Sequence, residues 1–170
     1  DVRDIDLKKI DIAIRDNTNG LQYNNYLTTF SANKTSISLA KNLVSIEKIS
    51  LYNSDVELTT KPTTPSKKTT SSSTPWIVNV VAIDLKNNMF KMYTGKPIHS
   101  GFDVNNLNLS ELSCKVKDVF YSSDSTHAYV QQFEVKDRSG FSIDSLHANI
   151  NYTSRQIAAT ELFLQTPRSL

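Results

Sequence analysis

The residues of this chain that could do chemistry are three histidines, four aspartates and a lone cysteine. Asp4, Asp6 and Asp11, with Asp84 further along, are the carboxylates that could pair for acid–base work or hold calcium. They alternate with aliphatic residues, a spacing that puts them on the solvent face of β-strands, where charge resists edge-to-edge pairing. His99, His127 and His147 share no metal-ligand spacing, and a two-histidine site would still need carboxylates converging in space. They read as surface or half-buried side chains. The single Cys114 excludes an internal disulfide framework and a cysteine-rich zinc site. Gly20, Gly95, Gly101 and Gly140 are too scattered for a P-loop, a dinucleotide fingerprint or a nucleophile elbow. With 19 basic and 17 acidic side chains the formal charge is only +2, too balanced for nucleic-acid binding through a basic stripe. The expectation is a non-enzyme with no cofactor, no metal and no nucleic-acid partner.

The elements that carry these residues read as strands. Ile10, Ile12 and Ile14 alternate with Asp11 and Ala13; Ile37 and Leu39 alternate with small polar residues; Trp76, Val78 and Val80 follow. Phe102 and Val104, Cys114 and Val116, Ala128 and Val130, Phe133 and Val135, Phe141 and Ile143, Leu146 to Tyr152, and Leu162 and Leu164 continue the pattern. Period-2 alternation puts one face of each strand in an apolar environment and the other in water. Turn clusters at Asp16–Gly20, Ser122–Ser125, Asp137–Gly140 and Thr153–Arg155 separate the strands. Only Asn25–Lys34 shows weak helical periodicity, compatible with a short helical turn. The chain is expected to be all-β with little helix.

Thr59–Pro75 breaks the pattern, with three prolines and mostly Ser, Thr and Lys. Such a segment buries too little surface to offset its ordering entropy and reads as a flexible loop or linker. It divides the chain into strand-rich segments 1–58 and 76–170, read as continuous with each other. No stretch of 18 apolar residues is present to span a membrane. The opening DVRDIDL is a strand pattern and not a signal peptide. The chain therefore reads as an internal piece of a longer protein.

Four windows align without gaps: IDLKKIDIAI from Ile5, ISLYNSDVEL from Ile49, IDLKNNMFKM from Ile83 and LNLSELSCKV from Leu107. Each has an aliphatic residue at position one, leucine at position three, and apolar residues at positions eight and ten. The odd spacing between the two apolar pairs would send them to opposite faces under strict alternation. Either each window is one strand with a bulge that restores the phase, or it is two strands meeting at a tight bend. Both give a sheet that folds over itself along a line. The low glycine count suits long, unbroken strands. Cys114, at position eight of the last window, reads as a buried small hydrophobe.

The runs WIVNVVAIDLKNNMFKMYTGKP, FDVNNLNLSELSCKVKDVFYSSDSTHAYVQQFEVKDRSGFSIDSLHANINY and IAATELFLQTPRSL resemble the AsmA/TamB group of bacterial envelope proteins. The likeness is to its long translocation-and-assembly-module (TamB-type) members from the Bacteroidetes. It covers Trp76–Leu170 well, and 1–58 more loosely through VRDIDLKKIDIAI and VSIEKISLYNSDVEL. It implies an elongated, mostly antiparallel sheet bent into an apolar trough, the β-taco or repeating β-groove. The parent would be held in the inner membrane by an N-terminal helix and would cross the periplasm. It would carry phospholipid towards the outer membrane and support outer-membrane biogenesis. Implied partners are phospholipid acyl chains, neighbouring segments of the same parent chain and an outer-membrane β-barrel. The Asp124-Ser125-Thr126 and Asp144-Ser145-Leu146 triplets resemble the short acceptor motif for O-glycosylation in Bacteroidetes, which makes Ser125 and Ser145 candidate modification sites.

The physics of such a trough needs no catalytic residue. Each lipid methylene bared to water costs about 0.8 kcal/mol, so a palmitoyl-length tail costs on the order of 12 kcal/mol. An apolar floor offsets most of this, and its non-directional attraction lets lipid slide. Ten stacked strands would give a trough roughly 45–50 Å long. The floor candidates are Ile10, Ile12, Ile14, Val56, Leu58, Phe90, Met92, Val104, Leu109, Val116, Val130, Val135, Ile143, Leu146 and Ile150. The bland alternative for each is packing against another inner-face side chain. For the whole chain the alternatives are a closed, non-catalytic envelope module that binds carbohydrate or protein, and a β-rich carbohydrate-active enzyme, for which no convergent acid or base stands out.

Overall fold

A computed structural model describes residues 3–16, 20–60, 75–95 and 101–168. Among them the strands are β1 (Asp4–Asp16), β2 (Leu21–Asn33), β3 (Ser36–Ser38), β4 (Leu43–Tyr52), β5 (Asp55–Thr60), β6 (Ile77–Thr94), β7 (Asn106–Tyr121), β8 (Ser125–Asp137), β9 (Ser142–Thr153) and β10 (Ile157–Gln165). All belong to one sheet, and the one helical element among the described residues is a single 3-10 turn at Leu39–Lys41. The all-β, mostly antiparallel architecture is that read from the alternation. Asn25–Asn33, the stretch with weak helical periodicity, lies inside β2: its alternating partners on β1 and β4–β5 outweigh a local preference.

β6 to β10 form an antiparallel meander. β4 and β5 lie end to end, both antiparallel to β2 and both parallel to β6. Their register on β6 is unbroken, from Leu43↔Ile77 through Tyr52↔Lys86 to Asp55↔Met89. β3 prolongs β2 along β4 in the same way, and β1 pairs outside β2. Parallel neighbours need a crossover of a dozen or more residues, which explains why a long connection separates β5 from β6. Thr59 and Thr60 are the last residues of β5, so the connection is shorter at its start than the composition suggests; 61–74 lie outside the described residues.

Three of the four repeated windows run within one strand, in β1, β6 and β7; the second is interrupted between β4 and β5. Position five is left-handed in every one: Lys9 (φ 53), Asn53 (φ 50), Asn87 (φ 52) and Glu111 (φ 52). Each adds the residue that resets the alternation. In β7 the apolar positions are Leu107 and Leu109, then Leu112, Cys114 and Val116 after Glu111. Asp118 (φ 52) resets them again before Val119. The bulge reading therefore describes the windows. The low glycine count, in contrast, does not mean unbroken strands, because Lys, Asn, Glu and Asp take the left-handed positions at about 1–2 kcal/mol each.

The bulges are neighbours across the sheet, Asn53 beside Asn87 and Asn88 opposite Leu112 next to Glu111. A polar hub closes the gaps they leave. The Ser54 backbone N–H donates to Asn88 Oδ1 (3.0 Å), Asn88 Nδ2 donates to the Leu51 carbonyl (2.9 Å), and the Thr28 N–H donates to Ser54 Oγ (3.1 Å). Ser54 is 0% and Asn88 2% exposed, so the bond between them satisfies a backbone N–H that water does not reach.

Candidate apolar binding face

Directly paired residues share a face, so the register assembles the apolar side row by row. One row runs Leu7–Phe30–Leu51–Leu85–Cys114–Phe133–Leu146–Leu164 across β1, β2, β4 and β6 to β10. The next runs Ile5–Ala32–Ile49–Ile83–Val116–Val130–Ala148. Beyond the bulge line the rows are Ile12–Asn25–Val56–Phe90–Leu109 and Ile14–Tyr23–Leu58–Met92–Leu107. The buried core, Leu27, Ala32, Val80, Cys114, Val130, Val135 and Ala148, belongs to this face.

The candidates from the sequence separate accordingly. Ile10, Ile12 and Ile14 lie on β1, Val56 and Leu58 on β5, Phe90 and Met92 on β6, and Leu109 and Val116 on β7. Val130 and Val135 lie on β8, the latter opposite Ile143, with Leu146 and Ile150 further along β9. The register brings these onto one face. Val104 is the exception: it lies in the loop before β7 and is 63% exposed. Its alternation with Phe102 is not a strand, because Asp103 turns the chain there, its carboxylate accepting from the Asn105 N–H (3.0 Å) and Asn106 Nδ2 (2.9 Å).

Of the longest row the candidate set holds only Leu146; Leu51, Leu85 and Cys114 sit close to the bulges, where simple alternation loses phase. The set also lacks two polar insertions. Ser54 and Asn88 sit in the row begun by Ile10 and Leu27, and Asn25 donates to the Tyr23 hydroxyl (2.8 Å) among aliphatic neighbours. Cys114 is buried in the middle of the face, and burial pushes its thiol up to about 11. That is the behaviour of a packed hydrophobe and not of a nucleophile.

The opposite face is polar. Asp84 accepts from the Tyr52 hydroxyl (2.8 Å) and faces Lys48 (3.4 Å) beside a cleft of about 600 Å³ that Lys86, Ser113, Lys115 and Glu134 also line. Asp4 accepts from the Lys34 N–H (3.0 Å). Asp4, Asp6 and Asp11 lie along β1 and Asp84 on β6, and the described residues contain no cluster of His, Cys, Asp or Glu able to hold a metal. His127 stacks on Phe120 (centroids 5.1 Å) and His147 on Phe163 (5.1 Å); His99 lies outside the described residues. Ser125, the first residue of β8, is half-buried, with its hydroxyl 3.3 Å from that of Ser122; Ser145 is half-buried within β9. No protein-family model, no curated protein and no solved structure matches the chain.

Proposed function

We propose that this chain is a segment of an AsmA/TamB-like envelope protein whose apolar sheet face, bent into a groove, holds phospholipid acyl chains. The parent would lie in the periplasm, anchored in the inner membrane, and carry phospholipid towards the outer membrane in support of its biogenesis. Neighbouring segments of the same chain would extend the sheet at β1 and β10, and an outer-membrane β-barrel would meet a region beyond this one. The observation that carries the reading is the uninterrupted apolar row from Leu7 to Leu164, on a sheet whose described residues include no helix longer than one 3-10 turn to cover it. Such a face suits a mobile apolar ligand, since the attraction scales with area and has no direction.

Native mass spectrometry of freshly purified protein is expected to show bound phospholipid, and donor–acceptor vesicles are expected to exchange labelled lipid faster in its presence. Protein that carries no lipid, and does not acquire any from vesicles, would instead favour a closed binding module. Val130→Glu or Ile143→Glu, in protein that remains folded, is expected to abolish lipid crosslinking. Unchanged crosslinking would remove those positions from the binding face.

A further inference from the structure

The apolar face ends differently at its two margins. At the end where β6 begins, the outermost row is Ile37–Val44–Val78–Tyr121–Thr126–Tyr152–Ile157. Tyr152 belongs to this face because β9 alternates without interruption through Leu146, Ala148 and Ile150. Trp76 stands just before β6 at the same end, since the Ile77 N–H donates to the Asn42 carbonyl there (2.8 Å). Inside the face Ala148 is 1% exposed, whereas at this margin Trp76 (42%), Tyr121 (51%) and Tyr152 (46%) are open. Tryptophan and tyrosine combine an apolar body with a polar tip and suit a boundary between hydrocarbon and water.

Charge distinguishes the margins as well. Lys41, in the 3-10 turn, and Arg155, in the β9–β10 turn, are exposed at the aromatic margin and make no ion pair among the described residues. Asp124, in the β7–β8 turn at the same end, accepts from the Ser123 hydroxyl (3.0 Å). Among the described residues at the other margin, Arg15 precedes Asp16 at the end of β1, and Arg138 follows Asp137 in the β8–β9 turn. The exposed aromatics at that end are Phe102 and Phe141, packed together at 4.9 Å and without a polar tip, and Tyr23 has its hydroxyl engaged by Asn25.

Resting on the lipid-carrying reading, we propose that the Trp76–Tyr121–Tyr152 margin is where the phosphate head group of a bound phospholipid leaves the apolar face. The acyl chains run from there towards the row containing Cys114. The length is adequate. From Tyr152 to Leu146 the strand covers about 20 Å at ~3.3 Å per residue, more than the about 15 Å of one bilayer leaflet's hydrocarbon. The aromatic rings cover the glycerol region, and Lys41 and Arg155 meet the phosphate, so an anionic head group is preferred.

Trp76 is the only tryptophan and reports on this margin directly. Phosphatidylcholine carrying a nitroxide on its head group is expected to quench Trp76 at least about twofold more than phosphatidylcholine carrying it near the end of an acyl chain, because such quenching acts at contact range. Equal or reversed quenching overturns the orientation. Lipid seen bound by native mass spectrometry, with neither probe quenching, overturns the margin while leaving the lipid-carrying reading intact; no bound lipid removes both. Lys41→Glu with Arg155→Glu is expected to lower the preference for phosphatidylglycerol over phosphatidylcholine by about fivefold per charge, with Trp76 still quenched by the head-group probe. An unchanged preference overturns the charge assignment.

Discussion

The two faces of this sheet are made of alternate residues of the same strands, yet stability is concentrated on one of them. The apolar face holds the buried core, and its longest row crosses eight strands without a charged residue. The polar face is stitched by exposed pairs such as Lys136 with Glu111 (2.7 Å) and Lys34 with Glu47 (2.6 Å). The first gains free energy in proportion to area removed from water, the second little, because water already solvates its charges. The bulges connect the two. Each left-handed residue inside a strand returns the aliphatic positions to the same side, as Asn87 does in Ile77–Thr94.

The sharpest way to break this contrast is to put charge at the most buried position of the apolar face. Ala148→Glu is expected to cost more than about 4 kcal/mol, because it buries an unpaired carboxylate; urea titration by circular dichroism checks it, and a folded, stable variant would show that this position is open to water. Next is the polar hub. Asn88→Ala strands the Ser54 N–H and the Leu51 carbonyl, at about 2–3 kcal/mol, measured in the same titration. The bulges come third. Asn87→Val forces a β-branched residue into the left-handed region at about 1–2 kcal/mol, whereas Asn87→Gly is expected to be near neutral; equal effects would mean that the backbone does not hold this conformation.

The polar face should barely respond. Lys136→Ala is expected to cost about 0.5 kcal/mol or less, and a larger loss would erase the distinction between the faces. Asp137, in the β8–β9 turn, offers a similarly small pH-dependent test. Burial would push its carboxyl up, but hydrogen bonds from the Ser139 side chain and from the Ser139, Asn108 and Arg138 backbone outweigh this and hold it below the usual 3.8. Its contribution is therefore present above that value and is lost as pH falls below it. Asp137→Asn should flatten the acid limb of the stability–pH curve slightly. Cys114 reports on the other face: alkylation should be slow in native protein near neutral pH and fast in urea. Rapid native alkylation would place its thiol in water.

Much of the apolar face was legible because burial on one side of a strand imprints period-2 alternation. Ile10, Ile12 and Ile14, and Leu146 to Tyr152, are read correctly for that reason. Val104 departs from that pattern because a loop can alternate by composition alone, and the row through Leu51, Leu85 and Cys114 contributes only Leu146 to the candidates because it borders the residues that reset the phase. Position five of the windows is Lys, Asn, Asn and Glu. No common residue type marks the left-handed turn there, as glycine would have done.

By itself the sequence determined the class of structure: strands with one apolar side, a repeated window with an odd internal spacing, and no convergent chemistry in the residues that could have supplied it. These are local properties, written in neighbouring residues. Only the tertiary structure decided that the odd spacing is a bulge, that β4 and β5 together form one line parallel to β6, and that two margins of one face differ in aromatic residues and charge. Register between strands depends on which distant residues lie opposite one another, and that choice is settled by packing across the whole sheet.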